Sequence, residues 1–436
     1  MKKTINKIRT SIWLYPAIYS LFSFVLSIAI TVMNKFYADQ ITDYIPGLFY
    51  TTTALAQTVL SIVAGAFITI VTFTFSTTMV VLTMYSSQFT PRVIENFLNN
   101  KTTMKSFGVF LSGFIFAITS LLFINTNVDA TKDGNLVIAA SVSVIYIIIG
   151  IIYFLSFIHN VANQIQASNL ILKLQEESLK TITEYRNFIK QTEIISEKKL
   201  QELIGHKRLI EVSSPSDGYI QEIEYSNLKK ITIDHQWIVC LKKVVGQFIS
   251  KETRLLTIFY DEANLKSKST DEAVIQEIQE CIMIGNRKSE TQDFSFTIQK
   301  IVEIAVKALS PGINDPNTAT YCLNILGVLL RDLADIKKGY IVVKEAEEVG
   351  LVIYETYDFE LLIFDVYTQI MFYGGADATV VIAGFKSLRF IKAKATEENS
   401  KIIDEFAREL FIKVVNRSFG ELEFNKIQNE YNELTN

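Results

Sequence analysis

Charge is missing from long stretches of this chain, and its absence says more than any motif. Between Tyr44 and Pro91 there are 48 residues without one charged side chain, about twice the length that a helix needs to cross a bilayer. Cysteine is also scarce. Cys240, Cys281 and Cys322 lie far apart, which excludes a disulfide framework and any paired-cysteine zinc site and leaves reduced thiols as the simplest reading. The three histidines, His159, His206 and His235, are equally scattered and make no metal-ligand spacing. Six prolines in 436 residues leave no room for proline-rich linkers. There is no Walker loop, no dinucleotide fingerprint, no His-Glu-x-x-His and no nucleophile elbow. The chain is therefore expected not to be an enzyme and to hold no cofactor and no metal.

What is present is apolar and helical. A hydrophobic fraction of 49% and a mean hydropathy of +0.25 point to a helical membrane protein with a substantial polar region. Four segments can span: Ser11 to Met33, a long second one with its core at Ala54 to Phe89, Ser106 to Ile124, and Leu136 to Ile158. The first follows Lys2, Lys3, Lys7 and Arg9 like a signal peptide, but its apolar run is too long, so it reads as a retained helix. Pro46-Gly47 precedes the second segment as a turn and Pro91 stops it. A helix of that length reaches about 50 Å, more than the bilayer core is thick.

Basic excess alternates across the loops as it does for a chain that starts in the cytoplasm. The N-terminal tail is wholly basic, the loop after the first span has Lys35 against Asp39 and Asp43, the next has Arg92, Lys101 and Lys105 against Glu95, and the last has Lys132 against Asp129 and Asp133. Both termini are therefore expected in the cytoplasm. Residues 1–159 hold nine Lys or Arg and five Asp or Glu, which leaves 33 against 41 for the remainder. A cytoplasmic region so acidic is a poor partner for nucleic acid, whose phosphates need a basic face.

The chain divides on this reading into a four-helix transmembrane domain (1–159), an amphipathic cytoplasmic stalk helix (160–205), a small β module (206–262) and a mostly helical domain (263–436). The stalk continues the fourth span, with Ile158, Val161, Ile165, Leu172, Leu179, Ile182 and Ile189 at heptad-like spacing. It packs against its own bundle or pairs with a stalk of another subunit. Strands are expected at Tyr219 to Tyr225, Trp237 to Leu241 and Arg254 to Tyr260. Their Pro-x-Asp-Gly-Tyr-Ile and Val-Gly-Gln-Phe-Ile runs are similar to a barrel-sandwich module of the biotinyl/lipoyl type. The Met-Lys-Met that carries a prosthetic group is lacking, so the module is structural. Helices follow at Asp271 to Ile284, Phe294 to Leu309, Ala319 to Leu333, Phe359 to Phe372, Ala376 to Lys392, Lys401 to Val415 and Glu421 to Asn436, with strands at Tyr340 to Val343 and Gly350 to Tyr354. The fold class is an α-helical integral membrane protein with a cytoplasmic α+β region.

Three stretches stand out from this background: Ser86-Ser87-Gln88-Phe89-Thr90-Pro91-Arg92-Val93, Phe157-Ile158-His159-Asn160-Val161-Ala162 and Ala308-Leu309-Ser310-Pro311-Gly312-Ile313-Asn314-Asp315-Pro316. In them the chain resembles the bacterial predicted membrane proteins of domain-of-unknown-function family 2254, from the first helix to about residue 340. The resemblance implies a multi-pass bacterial membrane protein and supplies no reaction, substrate or catalytic residue.

Two sets of residues are candidates for a site. Thr58, Ser61, Gly65, Thr69, Thr72, Ser76, Thr83 and Ser87 follow one another at steps of 3, 4, 4, 3, 4, 7 and 4, which makes a single stripe of small or hydroxylated residues on the second helix. The stripe is expected to face protein or water and not lipid, either as close helix packing or as a pore lining. In the second set, Ser310, Asn314 and Asp315 cluster at a helix start, where Asp315 is an N-cap and Pro316 a first-turn residue. That turn is either structural or a ligand site. No Asp, Glu, Lys or Arg lies inside a span, which argues against ion-coupled transport and proton pumping. Two functions remain. One is a homo-oligomeric channel for small ions, with the stripes around a shared axis and cytoplasmic domains that gate or filter. The other is a membrane-anchored sensor or scaffold whose cytoplasmic domains bind a ligand or partner. The first is preferred, with the lipid bilayer and further copies of the chain as partners.

Overall fold

A computed structural model describes residues 14–41, 49, 51–88, 101–125, 138–164, 166–261, 272–343 and 350–436. The chain forms two units, Met1–Asn169 and Leu170–Asn436.

The first unit holds the helices α1 (Leu14–Ile41), α2 (Thr53–Gln88), α3 (Lys101–Asn125) and α4 (Ala139–Gln164). Each is long and apolar enough to span, over Leu14–Met33, Thr53–Met84, Thr102–Ile124 and Ala139–Asn163. The four expected spans are therefore present. The expected turn at Pro46-Gly47, the stop at Pro91 and the loop charges at 92–95 and 129–133 lie outside the described residues. Helix α3 is central, packing on α1, α2 and α4. Its centre has no side chain at Gly113, and α4 has none at Gly150; the ring of Phe67 fills both gaps. A Cβ at Gly150 would come within 2.7 Å of that ring, and one at Gly113 closer still. Short polar contacts tie the rest. Ser27 Oγ meets Ser120 Oγ at 2.9 Å, Ser23 Oγ meets the Tyr146 hydroxyl at 2.7 Å, and Asn160 Nδ2 donates to Thr103 Oγ1 at 3.2 Å. Such bonds join helices in a medium that offers no water.

The second unit begins with α5 (Ala167–Lys190), β1 (Glu193–Ile195), α6 (Glu197–Ile204), β2 (Arg208–Ser213), β3 (Gly218–Ile223), α7 (Tyr225–His235), β4 (Ile238–Leu241), β5 (Phe248–Ile249) and β6 (Arg254–Tyr260). It continues with α8 (Glu272–Glu280), β7 (Ile282–Gly285), α9 (Phe294–Ala308), α10 (Pro316–Arg331), β8 (Tyr340–Val343) and β9 (Leu351–Glu355). The helices α11 (Phe359–Gly374), α12 (Ala378–Lys392), α13 (Glu397–Val415) and α14 (Glu421–Thr435) complete it. One sheet has six strands in the order β1-β8-β9-β4-β6-β2, antiparallel except for the β4–β9 pair; the other is β5-β3-β7.

Several expectations need correction. The stalk is not one helix over 160–205. Helix α4 ends at Gln164, Asn169 Nδ2 bonds back to Asn163 O at 2.9 Å, and α5 starts anew before β1 and α6. The seam also differs, since α5 buries Leu170, Ile171, Leu174 and Ile182 and leaves Leu172 exposed. Its far end packs Tyr185, Phe188 and Ile189 on the core of its own unit. Arg186 grips Asp335 with both guanidinium nitrogens and also reaches Asp332 O. That hydrogen bond holds the Asp335 carboxyl below the usual carboxylate range.

Strands 208–260 do not make a closed barrel or a self-contained module. Strand β3 pairs with β7 and β4 pairs with β9 from elsewhere in the chain, and β9 in turn carries β8 and β1. The expected helix Asp271–Ile284 is α8 followed by β7, because Ile282 to Gly285 pair with β3.

At the start of α9, Asp293 caps Phe296 N at 3.0 Å with Oδ1. Its buried Oδ2 has no hydrogen-bond partner among the described residues. Burial raises the Asp293 carboxyl above its ordinary value, against a smaller lowering by its hydrogen bonds and Lys288. A carboxyl raised in the folded state binds its proton where the unfolded chain has lost it, so stability falls as pH rises through that window. Asp293→Asn keeps a competent cap and is expected to flatten this fall as pH rises above the ordinary carboxylate range, about pH 4. Chemical melts of both proteins at rising pH check it, and parallel profiles would refute it.

Candidate functional site

Helix α2 has two unlike faces. On one, Ala56, Leu60, Val63, Ala64, Phe67 and Val81 are buried. On the same side Thr74 and Thr78 are buried too, with their hydroxyls returned to Ile70 O at 2.6 Å and Thr74 O at 2.8 Å. This face packs on α3 and α4.

The other face carries Thr58, Ser61, Gly65, Thr69, Thr72, Ser76 and Thr83, all exposed. A side chain added at Gly65 would meet no atom within 4 Å. The stripe is thus turned away from its own bundle. Four of its hydroxyls donate within the helix: Thr58 to Ala54 O at 3.0 Å, Thr69 to Gly65 O at 2.8 Å, Thr72 to Ile68 O at 2.8 Å and Thr83 to Met79 O at 2.9 Å. Each oxygen keeps its acceptor capacity for a group outside the chain. The Ser87 side chain lies outside the described residues.

The second candidate set comes together as a tight reversal between α9 and α10. Ser310 Oγ donates to Lys307 O at 2.6 Å, while Asn314 N and Ile313 N return to Ser310 O at 2.9 and 3.0 Å. Asn314 has φ +50°, a left-handed conformation that asparagine tolerates better than most residues. Asp315 then accepts from Thr318 N at 3.1 Å and Thr318 Oγ1 at 2.6 Å. Pro311 to Asn314 are exposed. Every one of the three side chains or backbones has a local role in the turn. Asp315→Ala is expected to cost about 1 kcal/mol and Asp315→Asn much less, read from thermal melts. A loss of assembly with unchanged melts would instead mark a ligand site.

The Phe-Ile-His-Asn-Val-Ala stretch of α4 is also structural in its geometry. Phe157 and Val161 are buried, Asn160 reaches α3, and exposed His159 pairs with Asn163 at 2.9 Å. Of the first distinctive stretch, only Ser86 to Gln88 are described, in α2. Among the described residues no group of three or more His, Cys, Asp or Glu could hold a metal ion. What the sequence did not reveal is the Phe67 clamp; Gly113 and Gly150 were its signal, but nothing local marks them as partners.

Residues 9–389 match the family described as "Predicted membrane protein (DUF2254)". The chain belongs to this family. The match continues past residue 340, where the resemblance of the sequence fades, into α12. Proteins of similar sequence occur in mycobacteria. Uncharacterized protein Mb1321c of Mycobacterium bovis and uncharacterized protein Rv1290c of Mycobacterium tuberculosis are each 23% identical over 290 residues, 66% of this chain and 54% of theirs. The chain thus spans about half the length of the curated relatives it matches. No solved structure matches it. As a membrane protein with four apolar helices, it contacts the lipid bilayer along them.

Proposed function

We propose that this DUF2254 protein is a homo-oligomeric, channel-like protein of the bacterial plasma membrane, with the α2 stripes of several copies around a shared axis. Small ions pass along that axis, the region after residue 169 gates or filters, and no catalysis is involved. One observation carries the reading: the small, hydroxylated face of α2 is the face its own bundle leaves open. In membranes such faces serve close helix contacts or water-lined paths. The four helices of one copy are already packed on one another, so a path needs further copies.

The alternating basic excess supports cytoplasmic termini. Cysteines placed at Asp39 or Lys132 are expected to be labelled from outside intact cells, and those at Lys101 or Ser269 are not; the reverse would overturn the orientation.

The test of function is current through purified protein in planar bilayers. Thr72→Val removes a hydroxyl already bonded to its own helix, so it should leave the fold intact and lower conductance through dewetting. Thr72→Asp should raise cation selectivity. An intact oligomer that carries no current under voltage, tension and varied salts would sink the reading. The second reading, a membrane-anchored sensor or scaffold, would then stand. It is favoured by the four intrahelical hydroxyl bonds, which let the stripe rest against lipid at low cost.

A further inference from the structure

The outward side of α11 is apolar and has no partner among the described residues of its own unit. The helix buries Leu362, Ile363, Val366, Ile370 and Met371 on one side. On the other it exposes Leu361, Phe364, Phe372 and Tyr373, with Phe372 71% exposed. A helix apolar around its whole circumference is one that is covered on every side, and a contiguous exposed apolar face marks a contact.

The order of residues on that face says what covers it. Positions 361, 364, 365, 368, 369 and 372 read Leu, Phe, Asp, Thr, Gln, Phe. The row has apolar ends and a polar centre, and it is symmetric about the point between Val366 and Tyr367. Laid antiparallel on itself, it sets Leu361 against Phe372, Phe364 against the stem of Gln369, and Asp365 against Thr368. The carboxylate only accepts hydrogen bonds, while the threonine hydroxyl and glutamine amide donate. A lipid surface would place the same carboxylate against hydrocarbon or anionic headgroups, both unfavourable.

We propose that α11 pairs with α11 of a second copy in an antiparallel, two-fold contact, with Asp365 and Thr368 exchanging hydrogen bonds at its centre. The contact is isologous, as two-fold pairing requires. Partial burial already holds the Asp365 carboxyl above its ordinary value, with Lys288 as the one opposing charge. A single helix face is small for a stable interface, and anchoring both copies in one bilayer supplies the effective concentration that makes it persist. The pairing rests on the C-terminal unit alone and not on the pore reading.

Cysteine crosslinking of the full chain in lipid nanodiscs tests it. The native Cys240, Cys281 and Cys322 are buried, and the wild type sets the background. Thr368→Cys, close to the two-fold, is expected to give a covalent dimer with a short bifunctional reagent. Leu361→Cys alone is expected not to, since its two copies would stand about 16 Å apart along the axis. Leu361→Cys combined with Phe372→Cys should restore the dimer. Phe372→Glu should abolish the Thr368→Cys crosslink without changing the melt. A Thr368→Cys that is readily alkylated yet never crosslinks, a Leu361→Cys that crosslinks to itself, or a crosslink indifferent to Phe372→Glu would each overturn the pairing. Thr69→Cys, crosslinked in parallel, reports on the α2 contact, so that either contact can fail alone.

Discussion

Phe67→Ala is expected to loosen the membrane unit severely. The Phe67 ring is fully buried, and it occupies the space left by Gly113 on α3 and Gly150 on α4. It therefore sets the spacing of three helices at once. In a water-soluble core such a truncation costs about 3–5 kcal/mol. Between membrane helices part of that cost disappears, because lipid is as apolar as the core. The cavity and the lost dispersion contacts remain, so about half the cost is expected. Gly150→Ala attacks the same contact from the other side by pushing the ring out of its seat. Because one gap is being filled or emptied, the two changes should not add, and Phe67→Leu should rescue Gly150→Ala in part. Thermal unfolding in detergent, with the double-mutant cycle, measures this. Additive effects, or a Phe67→Ala protein as stable as wild type, would show that the ring does not hold the bundle.

The clamp also shows where sequence reading stops. The spans were legible because a bilayer forbids charge over a known length, and the Tyr44–Pro91 stretch obeys that rule without help from any other residue. The stripe of α2 was legible as a spacing. Which way it points was not, because that is decided by glycines 46 and 83 residues further along the chain, on other helices. The Asp315 cap and the reversal before it were legible for the opposite reason: all their partners lie within eight residues. In the second unit Arg254–Tyr260 was read at its observed limits, as a β-branched and aromatic run should be. Helix α7 went unseen, and Ile282 to Ile284 were absorbed into a helix, because these apolar residues fit either period until β3 is there to pair with. The barrel-sandwich expectation failed on the same point. Local strands were recognised, but their neighbours came from elsewhere in the chain, more than a hundred residues away in the case of β9, which no local pattern records.

If the proposed channel forms, a far larger change in its conductance is expected from the one turn of α2 where the stripe is interrupted. From Thr58 to Ser76 a small or hydroxylated residue returns at every helical turn, and Thr83 resumes the series. At the turn between Ser76 and Thr83 the outward positions are Met79 and Val80, both exposed and both apolar. In the proposed channel, several copies of this pair would form an apolar ring around the shared axis of an otherwise hydroxylated path. Water leaves such a ring readily, and an ion that must cross it dry meets a barrier, so the ring is where the path would close. Val80→Ser keeps the size small and adds a hydroxyl that can bond its own helix. It is expected to raise the open probability about tenfold or more, equivalent to roughly 1.4 kcal/mol taken off the closed state. Met79→Ser should act in the same direction, and the double change should leave the path open without stimulus. Leu55→Ser is the control, since Leu55 is just as exposed but lies at the end of the helix, before the stripe begins. Single-channel recordings of the wild type and the four variants decide the matter. Equal open probabilities for wild type and the double variant, with conduction intact, would place the barrier elsewhere and remove Met79 and Val80 from the path.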